Sequence, residues 1–86
     1  MQMGKVKQLE QTIREDLEQD HTRITERKSD IVNALAYIRQ ASNPSNKWNK
    51  LERSILAAMI IELTSMIDTD NQSIDILEQK ISEFDR

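Results

Sequence analysis

Eighty-six residues with one glycine, one proline and no cysteine allow one small domain and exclude a disulfide scaffold or a thiolate-ligated metal. Gly4 and Pro44 are the only strong breakers, whereas sheet proteins need turn residues every 8 to 12 positions, so an all-β or α/β fold is excluded. Twelve basic residues against fifteen acidic ones leave a net charge of −3, which does not favour nucleic acid or an anionic membrane.

The first element predicted is a helix over about residues 3–42. Val6, Leu9, Ile13, Leu17, Ile24, Ile31, Leu35 and Ile38 recur in steps of three, four or seven, the apolar a and d positions of a heptad. An extra four-step through Leu9, Ile13 and Leu17 is a stutter that relaxes the supercoil. Met1 to Glu10 lacks the apolar core of a secretory leader, and a cytoplasmic setting is expected.

A turn follows over about 43–47. Pro44 disfavours the helical region for Asn43 and so ends the first helix. Asn43, Ser45 and Asn46 are the candidate caps of the next. So short a connection makes the helices antiparallel neighbours.

The second helix is predicted over about 48–85, with a seam of Leu56, Ile60, Leu63, Ile67, Ile74, Leu77, Ile81 and Phe84. Its densest stretch, Ile55 to Ile67, holds ten apolar residues in thirteen, too short to span a bilayer and interrupted by Glu62. Asp68 to Ser73 is polar and of poor helix propensity, but the heptad phase runs through it unbroken, which favours a continuous helix. Asp68, Asp70 and Gln72 echo a calcium loop but lack its turn glycine and final glutamate, so no metal or cofactor is expected.

Folding the chain near Ser45 pairs residues whose numbers add to 90 or 91, such as Leu35 with Leu56 and Ile31 with Ile60. On that register His21 and Asp70 share a layer, expected to fix register and orientation rather than to act as a catalytic dyad. Lys28 takes the remaining polar seam position, opposite Leu63 and near Glu62. The fold class expected is therefore all-α, an antiparallel two-helix coiled-coil hairpin.

Apolar residues exceed one seam. Ile55, Met59 and Met66 form a second stripe, and Val32 and Tyr37 widen the first helix near the turn, with Trp48 at the tip. Such a surplus marks an interface. A homodimer forming a four-helix bundle is the expected partnership, and a helix from another protein the second choice. Arg23, Arg27 and Lys28 form a basic cluster, but Glu26 and Asp30 lie among them, which disfavours a nucleic-acid role. Nothing in the sequence supports an enzyme.

In length and in a tryptophan near the turn, Trp48-Asn49-Lys50, the chain resembles the WXG family of small secreted helical hairpins, although the glycine is missing. Asn43-Pro44-Ser45-Asn46 is similar to the Asn-Pro turn of type III secretion needle subunits, with Lys47 in place of their second turn proline. Neither match extends beyond the turn. The expected function is a protein–protein interaction module, with a polymer-forming assembly subunit as the alternative.

Overall fold

Two helices account for nearly the whole chain: α1, Gln2–Ala41, and α2, Lys50–Phe84. The computed structural model describes residues 2–84. The helices pack side by side into an antiparallel hairpin measuring 70 × 17 × 14 Å. This is the expected architecture; the expected end of the second helix at residue 85 lies outside the described residues.

The turn is longer than predicted, running from 42 to 49. Asn43 and Asn46 close a β-turn, the Asn46 amide donating to the Asn43 carbonyl at 2.9 Å, and Pro44 takes the second position that suits its fixed φ. The Asn43 side chain accepts from the Ser45 amide and hydroxyl, each at 3.0 Å. The last carbonyls of α1 find donors in the turn: Asn46 Nδ2 reaches Ala41 at 2.9 Å, and the Trp48 indole N–H donates to the same oxygen. Side chains thus do the work of a glycine cap, and no described residue has a positive φ.

The cap of α2 is Asn49 rather than Asn43, Ser45 or Asn46. Its side chain accepts from the Glu52 amide at 2.8 Å, and Glu52 Oε1 accepts from the Asn49 amide at 3.1 Å. This reciprocal pair is a capping box, and its Asn-x-x-Glu spacing was present in the sequence. It delays the helix start to Lys50.

α2 passes through Asp68–Ser73 without a break. Thr64 and Thr69 turn their hydroxyls back onto the carbonyls of Ile60 and Ser65, at 2.7 and 3.1 Å, so these poor helix formers stay within the ladder.

The register differs from the expected one. Arg27 bonds to Asp70 and His21 to Glu78, pairs whose numbers add to 97 and 99. Near the turn, Ser42 shares a hollow with Leu56 and Ala57, which add to 98 and 99. The helices therefore meet about one heptad further along than a fold at 90 or 91 would place them. Both seams repeat every seven residues, so the same apolar positions face inward in either register. Part of the offset arises because helical side chains lean toward their own N-terminus, bringing together the tips of residues that are not level.

The shift sets Phe84 near Arg14, and the two line one hollow. Residues 2–13 of α1 consequently run past the last described residue of α2. Val6 and Leu9 in this stretch stay exposed, at 54% and 62%. The stutter adds to this: Arg14 takes the half-buried seam position while Ile13 is turned outward.

The core is thin. Among the described residues only Ile31 and Leu35 are buried apolar side chains, with the other apolar seam residues between Leu17 and Phe84 half-buried. The capping box should matter to so small a fold. Replacing Asn49 by Ala is expected to cost about 1 kcal/mol of unfolding free energy, measured by denaturant titration followed by circular dichroism.

Candidate interaction surface

Asp70 lies in the α2 seam with no exposed surface. A carboxylate taken out of water needs a countercharge and hydrogen bonds. Arg27, on the flank of the α1 seam, supplies both: Nε donates to Oδ2 at 3.2 Å and Nη2 donates to Oδ1. The hydrogen bond with Asp70, and then its charge, raise the Arg27 pKa above the ordinary arginine value. The rest of the Arg27 side chain remains largely exposed, so the guanidinium reaches inward from a solvated stem. No described buried side-chain polar atom lacks a partner.

His21 and Asp70 do not form the expected pair. His21 Nε2 donates to Glu78 Oε1 at 3.0 Å, on a more exposed part of the hairpin. The reason is the register: one heptad of slip carries His21 toward Leu77 and Glu78 and brings Asp70 level with Arg27 and Lys28. Lys28 is half-buried and faces the level of Asp70 rather than Leu63. The sequence placed Arg27 in a solvated basic face and so missed it. An aspartate at a seam position, with an adjacent Arg-Lys pair a heptad from the expected level, was the available clue. Arg23 donates to Asp20 at 3.2 Å, so two of the three cations of the basic cluster already have acidic partners.

The six residues expected at an interface, Val32, Tyr37, Trp48, Ile55, Met59 and Met66, are all exposed. They do not share one face. Glu18, Thr22, Glu78 and Ser82 line a common hollow and so mark one flank of the hairpin. Val32 lies two heptads on from Glu18, and Ile61 three heptads back from Ser82, which puts both on that flank. Ile55, Met59 and Met66 follow the other flank of α2, the side from which Arg27 approaches Asp70, and Tyr37 belongs to the same side of α1. Trp48 combines two roles, bonding the end of α1 through its indole N–H while keeping part of its ring in solvent. Leu51, which the sequence reading passed over, is exposed beside the turn.

Among the described residues no group of three or more histidine, cysteine, aspartate or glutamate side chains is placed to hold a metal ion, and no helix is long and apolar enough to cross a membrane. No family model, curated protein or solved structure matches the chain significantly.

The ion pair can be separated from the apolar seam by a mutant cycle. Arg27→Met strands the buried Asp70 carboxylate and is expected to lower the melting temperature by roughly 10 °C. The double variant Arg27→Met/Asp70→Leu should recover most of that loss, because an apolar pair fills the site without a buried charge. Thermal melts of the two single variants, the double variant and the parent check this.

Proposed function

We propose that the chain is a non-enzymatic protein–protein interaction module, an adaptor, small assembly chaperone or regulator, acting through the apolar stripe on its hairpin. The observation that carries this reading is the Ile55, Met59 and Met66 stripe, exposed along α2 beside Tyr37. The total surface supports it. At 7112 Å² the chain exposes about 1,900 Å² more than the roughly 5,200 Å² expected of a compact 10.0 kDa monomer. A standard interface covers about 800 Å² on each partner, so the excess is large enough for one.

The preferred partner is a second copy, which would complete a four-helix bundle and give the thin Ile31–Leu35 core a further layer. Another protein's helix laid against the stripe is the competing occupant. A polymer-forming assembly subunit is favoured by a different observation, the exposure of apolar residues at both ends of the rod, Leu9 at one and Leu51 at the other. A nucleic-acid role draws little support once Arg23 and Arg27 are engaged with Asp20 and Asp70. Catalysis draws none from a chain with one histidine and no cysteine. The expected compartment is the cytoplasm.

Light scattering on the purified chain tests the reading. A mass of about twice 10.0 kDa is expected, falling to the monomer mass in Met59→Glu/Met66→Glu with helicity retained. A monomeric parent would overturn self-association, and a broad series of larger species would replace the dimer by the polymer.

A further inference from the structure

The flank of α2 opposite the Ile55–Met59–Met66 stripe carries a second pattern. Lys50, Ser54, Ala57, Ile61, Thr64 and Asp68 recur in steps of four, three, four, three and four. From Ala57 onward each follows a seam residue by one position, whereas each stripe residue precedes one. At about 100° per residue, the two faces lie on opposite sides of the seam. All six side chains of the second face are exposed, and Ile61 near its middle is 70% exposed. Neither Lys50 nor Asp68 forms an ion pair with any described residue of the hairpin.

Reversed end for end, this face is its own complement. Lys50 with Asp68, Ser54 with Thr64 and Ala57 with Ile61 are each equidistant in sequence from Met59. A two-fold axis at that level sets every residue against its counterpart in a second copy, twice over. Cation then meets anion at both ends, and each Ile61 lies over the small side chain of an Ala57. Other alignments lose this match. A parallel pair sets Lys50 against Lys50 and Asp68 against Asp68. Sliding the antiparallel pair by a heptad sets Lys50 against Ile61 in one direction and Asp68 against Ala57 in the other. The wider charge pattern agrees, since Ser54–Gln79 holds five acidic residues and no basic one for the Lys50–Arg53 turn to meet. Glu52, the one acid in that turn, is held in the capping box.

We infer that two copies of the chain pair through this face of α2, antiparallel about a two-fold axis, with Lys50 of each against Asp68 of the other and Ile61 of each seated on Ala57. The contact is separate from the stripe and does not depend on what covers the stripe. From Lys50 to Asp68 it runs about 27 Å along the helix, at 1.5 Å per residue. A single helix pair of that length lies at the small end of specific interfaces, so the association is reversible and concentration-dependent.

Charge reversal tests the geometry, read by sedimentation equilibrium over a rising concentration series. Both charged positions are exposed, so Lys50→Glu and Asp68→Lys leave the hairpin folded, which circular dichroism checks. Each variant alone is expected to weaken association about tenfold, because like charges then meet at both ends of the contact. An equimolar mixture of the two variants is expected to recover the parent's association. In the mixed pair the reversed charge of each chain faces its opposite, and so do the two unreversed ones. One chain carrying both reversals should recover in the same way. Association that neither reversal weakens would overturn the contact, as would losses that mixing does not repair. A parent that stays monomeric at every concentration would overturn it too. Association abolished by Met59→Glu/Met66→Glu yet indifferent to both reversals would assign pairing to the stripe and remove this face.

Discussion

The Asp70 carboxylate is the group on which the register of this hairpin turns. Both seams repeat every seven residues, and two such seams fit together equally well when one slides by a heptad. Along the stretch that the two helices share, apolar burial therefore leaves at least two alignments nearly equal. A fully buried carboxylate does not. In the alignment where facing numbers add to 91, Asp70 meets His21 and stands about 9 Å of helix rise from the level that lets Arg27 reach it. One heptad further on, Arg27 closes on it with two N–H groups. A guanidinium is always charged and its fork matches both carboxylate oxygens, whereas an imidazole offers one bond and carries charge over only part of the pH range. The polar pair selects the alignment that the apolar pattern leaves open.

That selection is also why the sequence revealed the fold and misplaced its details. The two helices, the proline turn and the unbroken passage through Asp68–Ser73 all follow from local rules: a heptad phase, a scarcity of breakers, and hydroxyls that bond back to the preceding turn. The level at which the helices meet is not a local property. His21 and Asp70 are both exceptions to an apolar seam, and two exceptions on a seven-residue repeat coincide in one of the possible registers without having to bond. Arg27 was hidden because it lies one position outside the seam, among Glu26 and Asp30, where a charge reads as solvated. The capping box was legible at Asn49 and Glu52, but the nearer asparagines around Pro44 competed for the same role. The apolar surplus was legible as composition; its division between two flanks, with Val32 on one and Met59 on the other, depends on which flanks of two helices come together.

A single seam between two helices also limits what the molecule can bury. Each helix has one stripe to offer its partner, and here the half of that contact near the turn holds Ile31 and Leu35, the two buried apolar side chains among the described residues. Toward the termini the apolar seam residues are only half-buried, His21 bonds to Glu78 across the seam and Arg14 pairs with Glu18 within α1, and surface pairs of this kind contribute at most about 1 kcal/mol each. Burying a large side chain contributes roughly 1.5–3 kcal/mol. The apolar residues left outside the seam are thus a larger reserve of stabilisation than the ion pairs already made, and only contact with another surface can draw on it.

Register and assembly are then one problem. Sliding α2 by a heptad to satisfy Asp70 withdraws it from the first turns of α1 and uncovers Val6, Leu9 and Ile13. In the other alignment Val6, Leu9 and Ile13 would face Phe84, Ile81 and Leu77, with the carboxylate poorly matched. The chain therefore exchanges intramolecular apolar contact for a buried, bidentate ion pair, and the uncovered surface becomes available to a neighbour. A variant that no longer needs Arg27, with Asp70 replaced by leucine, loses the term that distinguishes the two alignments, and the hairpin regains the freedom to cover its own overhang. By this logic the ion pair acts on assembly without touching the assembly surface, because it decides which apolar residues are left over.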